Sequence, residues 1–105
     1  MDKRIDKILD ILEDMYFDAK PGLEYTTSFE LLIATILSAQ CTDVRVNMIT
    51  RELFKEYNTP EAFVDMDVKT LERLIYSCGF YRNKSRNIIE TSRILLKEHD
   101  GQVPD

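Results

Sequence analysis

The chain has 105 residues, enough for one hydrophobic core. Three glycines and three prolines exclude collagen-like and turn-rich scaffolds and disfavour a β-sandwich, and no apolar run approaches the roughly 18 residues of a membrane span. A net charge of −5 argues against a non-specific nucleic-acid binder.

The pattern is helical almost throughout. Ile5, Ile8, Leu9, Leu12, Met15 and Tyr16 follow the spacing of an amphipathic helix over about 3–16, which Lys20-Pro21-Gly22 brings to a stop. The start, Met1-Asp2-Lys3-Arg4, is too charged for a signal peptide, so a cytoplasmic protein is expected. Residues 21–27 read as a connection. Thr27 and Glu30 have the spacing of a capping box ahead of a second helix. The run 29–37 is apolar on nearly every face, interrupted only by Glu30 and Thr35, so this helix is expected at the centre of a bundle.

Ser38-Ala39-Gln40-Cys41-Thr42-Asp43 breaks that run. Thr42 or Asp43 caps a third helix with Val44, Met48, Leu53 and Phe54 as candidate core positions. Thr59 caps a short fourth helix that opens on Pro60 and carries Ala62, Phe63 and Met66. Asp67 caps a fifth, with Leu71, Leu74 and Ile75 inside. Gly79 stands where a helix-ending glycine belongs. The last helix runs from Arg82 or Asn83 to Lys97, burying Ile88, Ile89, Ser92 and Leu95 or Leu96, and ends at Asp100-Gly101. The expected fold is therefore all-α, six helices with short connections and no strand.

Chemistry is sparse. His99 is the only histidine and sits in the last turn of the final helix, which suits a C-terminal cap or a solvated position. The carboxylates read as caps or solvated faces, and no lysine stands within an apolar stretch that would make it a nucleophile. No catalytic residue is assigned. Cys41 and Cys78 are too few for a disulfide framework and, even with His99, for a structural zinc site. They read as buried free thiols. An iron–sulfur cluster held by this chain alone fails on ligand count.

The charge is unevenly spread. Residues 1–30 carry four basic and eight acidic side chains, whereas residues 82–97 carry Arg82, Lys84, Arg86, Arg93 and Lys97 against Glu90 alone. That basic segment can steer one face toward an anion. Gln40, between a fully apolar helix and a capped one, has no structural reason to be a carboxamide. Phe80 after Gly79 fits two roles: the hydrophobic contact of a helix-ending turn, or an apolar wedge that inserts between stacked bases.

Ser28-Phe29-Glu30-Leu31-Leu32-Ile33-Ala34, Leu37-Ser38-Ala39-Gln40-Cys41-Thr42-Asp43 and Val46-Asn47 resemble the start of the endonuclease III family, bifunctional DNA glycosylases and abasic-site lyases of base excision repair. Gly79-Phe80-Tyr81, Lys84, Asn87-Ile88-Ile89 and Gly101-Gln102-Val103-Pro104 continue the resemblance in order and spacing. The resemblance implies a six-helix barrel domain, of which residues 22–105 would be most, without its helix-hairpin-helix. It places residues 1–21 in a second domain that carries a [4Fe–4S] cluster in the full-length family. The family's catalytic lysine and aspartate and its four cluster cysteines come after the Val-Pro at which this sequence ends. This chain is therefore expected to hold no cofactor and to be catalytically silent.

By the same resemblance, Gln40 enters the gap left by an extruded base, Phe80 is the wedge, Arg82 and Lys84 contact phosphates, and Thr42 and Asp43 have an orienting role. The expected partner is double-stranded DNA with damaged or abasic sites, bound weakly, with no membrane role. Self-association through the apolar stripe of helix 3–16 is a further expectation. The rival expectation is a helical protein–protein interaction module built on that scaffold.

Overall fold

The computed structural model describes residues 22–103. The expected helix over 3–16 lies outside the described residues. Five α-helices follow in order: α1 (Ser28–Ser38), α2 (Asp43–Leu53), α3 (Pro60–Asp65), α4 (Val68–Ile75) and α5 (Tyr81–Glu98). A single 3₁₀ turn, Tyr76–Cys78, joins α4 to α5. No strand occurs among the described residues.

α1 is the central helix, as its apolar run requires. Leu32, Ile33, Ala34 and Leu37 are fully buried, and only Ser28 of its eleven residues is exposed. The long α5 lies against α1, α3 and α4 and closes the bundle. Its inward face is Ser85, Ile88, Ile89, Ser92 and Leu95, at helical spacing. Phe63 of α3 is fully buried and stacks obliquely on Phe29, with ring centroids 5.8 Å apart, and on Tyr57 at 6.2 Å.

The caps are where the sequence put them. Thr27 Oγ1 accepts from the Glu30 N–H at 3.1 Å, Thr42 Oγ1 from Arg45 at 3.2 Å, and Thr59 Oγ1 from Ala62 at 3.2 Å, with Pro60 opening α3. The reciprocal arm of the first box is shifted by one residue. Glu30 Oε1 accepts from Thr26 N at 2.9 Å and Thr26 Oγ1 at 3.0 Å, which lets a buried carboxylate keep two donors. Asp67 precedes α4 without a side-chain cap bond.

Three expected core positions are wrong. Val44 is 72 % exposed, Met48 52 % and Leu74 42 %. In α2 the buried stripe is Val46, Ile49, Thr50 and Leu53, a cleaner i, i+3, i+4, i+7 set than the one built on Val44. In α4, Leu71 and Ile75 are buried and half-buried Val68 lies on the same face, leaving Leu74 outside it.

Candidate nucleic-acid interface

The site is built on two loops at one end of α1. The first is Ala39–Gln40–Cys41, between α1 and α2. The Cys41 N–H donates to the Ser38 carbonyl at 3.1 Å, with Ala39 at φ −60°, ψ 114° and Gln40 at φ 57°. Those are the features of a type II turn, whose third position normally needs glycine. A side chain held there costs roughly 1–2 kcal/mol. The local backbone alone would favour glycine, yet a glutamine stands there, exposed to solvent.

The second loop repeats the situation. Gly79 has φ 78° and ψ 157°, a conformation open essentially to glycine alone. Phe80 follows at φ 49°, ψ 34°, left-handed, as the N-cap of α5, and the residue is 64 % exposed. An N-cap is normally a small polar residue that bonds the first free N–H groups, and phenylalanine cannot. The Schellman reading of Phe80 is therefore overturned, because that role requires a ring packed against the preceding helix. Asp100 is the third non-glycine residue at positive φ among those described, and a residue of that type tolerates the region.

The two loops are tied together behind their tips. The Cys78 thiol donates to the Leu37 carbonyl at 2.9 Å, joining the turn before Phe80 to the helix end before Gln40. Burial, followed by the neighbouring Cys41 side chain, pushes the Cys78 thiol up to about 11, so it is protonated at neutral pH.

Lys84 completes this node and corrects an expectation. It was to reach phosphates, but it is only 4 % exposed, and its ammonium turns inward to the Cys78 carbonyl at 3.2 Å and the Cys78 sulfur at 3.4 Å. Its sequence neighbours are polar, which hid its burial. On the helix it sits four residues before Ile88, on the inward face.

Arg82 remains on the surface, in the first turn of α5, with its guanidinium 5.4 Å from the centre of the Tyr81 ring. Tyr81 in turn lies 4.9 Å from Tyr76, which forms an aromatic wall beside Phe80. The N-terminus of α5 has no side-chain cap, so its first N–H groups face outward with the positive end of the helix dipole. Thr42 fixes the exit from the Gln40 turn by capping α2. Half-buried Asp43 leans back over Gly22, where a Cβ would stand 2.5 Å from its Oδ2.

One contributor escaped the sequence reading. The Asn47 side-chain amide donates to the Gly22 carbonyl at 2.7 Å and accepts from the Glu24 N–H at 3.0 Å, which pins the segment entering α1 against α2. A buried asparagine in an otherwise apolar stripe was the available signal.

The comparisons with known proteins agree with this geometry. Residues 33–104 match the model of the HhH-GPD superfamily base excision DNA repair proteins. The chain belongs to that family. It is similar to endonuclease III of Synechocystis, with 47 % identity over 102 residues, covering 97 % of this chain and 47 % of that protein. It is similar to endonuclease III of Bacillus subtilis at 40 % identity over the same length. The chain thus spans about half the length of the curated relatives it matches.

Among solved structures, a non-covalent endonuclease III–DNA complex aligns with a TM-score of 0.79 at 43 % identity, over 97 % of this chain and 48 % of that one. A trapped covalent endonuclease III–DNA intermediate with an estranged adenine aligns equally well. A thermostable thymine-DNA glycosylase, 22 % identical with a TM-score of 0.74, shares the fold. The family's [4Fe–4S] cluster does not fit the residues of this chain. It needs four thiolates, and the chain has two cysteines, of which Cys78 has its sulfur engaged with the Leu37 carbonyl and the Lys84 ammonium.

Proposed function

We propose that this chain supplies the strand-opening part of an endonuclease III-like DNA glycosylase and abasic-site lyase of base excision repair. The observation that carries this reading is the pair of strained, exposed tips, Gln40 and Phe80, on two loops that share one buried anchor. Strain of this kind persists where a side chain is needed at that place.

In this mechanism Phe80 enters the base stack as an apolar wedge and kinks the duplex. Gln40 fills the space left by the extruded nucleotide. Its carboxamide both donates and accepts, so it can pair with either kind of edge on the orphaned base. Arg82 and the free N–H groups at the start of α5 hold a phosphate and set the register. Thr42 and Asp43 keep the Gln40 turn in place from the start of α2. Residues 22–105 are most of a six-helix barrel domain in this reading, and residues 1–21 belong to a second one. The similarity to an endonuclease III captured with an estranged adenine supports the base-opening role.

The test is a titration of labelled duplex carrying an abasic-site analogue against the same duplex intact. Binding is expected at roughly 10⁻⁴–10⁻⁶ M, with preference for the abasic duplex. Phe80→Ala and Gln40→Ala each erase the preference, while Phe80→Leu, still an apolar wedge, keeps most of it. Borohydride treatment of the 105-residue chain with abasic DNA traps no adduct, since the Lys84 amine is turned into the core. Equal affinity for both duplexes, unaffected by either alanine, would refute the reading and favour a protein-interaction module. A trapped adduct would refute the assignment of a strand-opening role without chemistry.

A further inference from the structure

The turn that carries Phe80 also carries an aromatic feature that strand opening leaves unused. Tyr76 ends α4 and opens the 3₁₀ turn, and its carbonyl accepts from the Gly79 N–H at 3.3 Å, so its backbone is fixed in the turn. The residue is nevertheless 64 % exposed. Its ring meets the ring of half-buried Tyr81, with centroids 4.9 Å apart and planes tilted by 47°. The Arg82 guanidinium lies 5.4 Å from the centre of the Tyr81 ring. An exposed ring pair with a cation against it is the arrangement on which proteins stack the bases of single-stranded nucleic acid.

Beside the pair lies a cleft of about 630 Å³, lined by Asp67, Lys69, Glu72 and Arg73 together with the two tyrosines. That volume falls in the range of small-molecule sites. Its charges cancel, two carboxylates against two cations, and Lys69 pairs with Glu72 at 3.7 Å. Such a floor has no excess positive charge for a phosphate. It suits a neutral, planar group whose face meets the rings and whose edge meets donors on Lys69 and Arg73 and acceptors on Asp67 and Glu72. In a duplex the faces of a base are covered by its neighbours and its edge is paired, so only an unpaired base can present both.

We propose that the cleft between α4 and the start of α5 is a stacking site for one unpaired nucleobase, so that single-stranded DNA beside the Phe80 tip is a ligand of this chain. The stacking chemistry rests on the cleft, and the choice of DNA rests on the function proposed above. Two features point to a strand in place of a free small molecule. Phe80 stands on the same turn as Tyr76, four residues on, and is itself exposed. Arg82 is no part of the lining but lies against Tyr81, where it can hold the phosphate that adjoins the stacked base.

The experiment titrates the 105-residue chain at low ionic strength with an oligothymidylate of about ten nucleotides, and with a strand of equal length whose bases are all replaced by abasic analogues. Both strands carry the same phosphates, so a difference in affinity belongs to the bases. The oligothymidylate is expected to bind about tenfold more tightly. It also quenches tyrosine fluorescence, which no tryptophan obscures in this chain. In NMR spectra of the parent chain the ring protons of Tyr76 and Tyr81 shift, while those of Tyr57, packed on the core, do not. Tyr76→Ala brings the oligothymidylate down to the level of the baseless strand, with an unchanged Tm because the residue is exposed. Tyr76→Phe keeps the ring and keeps the difference. Added salt weakens both strands alike and leaves their ratio, since the cleft floor carries no net charge.

Equal affinity for the two strands, ring shifts that spare Tyr76 and Tyr81, or an undiminished difference in Tyr76→Ala would each overturn the proposal. A chain that prefers abasic to intact duplex yet binds both single strands equally loses this site and keeps the strand-opening role. One that stacks the oligothymidylate but shows no preference between the duplexes refutes strand opening and leaves the cleft standing.

Discussion

The two ends of α1 are closed by different chemistry. At the N-terminal end the helix itself is closed locally, since Thr27 caps it and Glu30 reaches back to Thr26, while Asn47 of α2 pins the entering segment from 25 residues away. At the C-terminal end the turn is strained at Gln40 and is held from 41 residues away, by the Cys78 thiol on the Leu37 carbonyl. One end satisfies its backbone with nearby side chains at little cost. The other spends backbone strain to project a carboxamide, and relies on a buried polar node for support. The proposed function is concentrated at the end where local rules are broken, the pattern expected when a side chain is placed for a partner rather than for the fold.

If that contrast is right, removing the long-range anchor costs more than removing the local cap. Cys78→Ala strips the Leu37 carbonyl of its donor and Lys84 of a sulfur contact, and is expected to destabilise by about 1–3 kcal/mol. Chemical denaturation with an unchanged m-value would check it. The same anchor gives the protein an alkaline weakness. Because the folded Cys78 thiol titrates at about 11 and an unfolded thiol near 8.5, the neutral form belongs to the fold. The stability it contributes is complete below about pH 8.5 and is lost as pH rises toward 11. Tm measured from about pH 8 to about pH 10 is expected to fall more steeply in the parent chain than in Cys78→Ala, and parallel slopes would count against it.

Thr27→Ala tests the local end. Loss of one cap bond is expected to cost about 1 kcal/mol, with DNA binding intact, since the cap lies at the far end of α1. The smallest effect carries the opposite sign. Gln40→Gly relieves the left-handed strain and is expected to stabilise by up to ~1 kcal/mol, less the entropy that glycine adds to the unfolded chain. The preference for abasic duplex is lost in the same variant. A glycine that destabilises, or that leaves DNA preference unchanged, would remove the distinction between the two ends.

Much of this was legible in the amino-acid order. The all-α class, the central position of 29–37 and the three threonine caps depend on periodicity and on contacts a few residues apart, which a sequence displays directly. Gln40 stood out because its loop has no structural need for a carboxamide, whereas Phe80 also had a structural reading that only its exposure overturns. The errors were of one kind. Val44, Met48 and Leu74 are apolar yet exposed, and Lys84 is charged yet buried, since a helix buries the face its neighbours cover, whatever single residues prefer.

The sequence alone determined where helices begin and which helix lies at the centre, because caps and apolar periodicity act through bonds and spacings within a single turn or two. Tertiary structure decided the rest. Only folding brings the Cys78 thiol to the Leu37 carbonyl and turns Lys84 inward to satisfy its ammonium on a carbonyl and a sulfur. The Cys78–Leu37 contact joins residues 41 positions apart, and no local pattern encodes it. It exists because a buried polar group must find its partner wherever the packed helices bring one within reach.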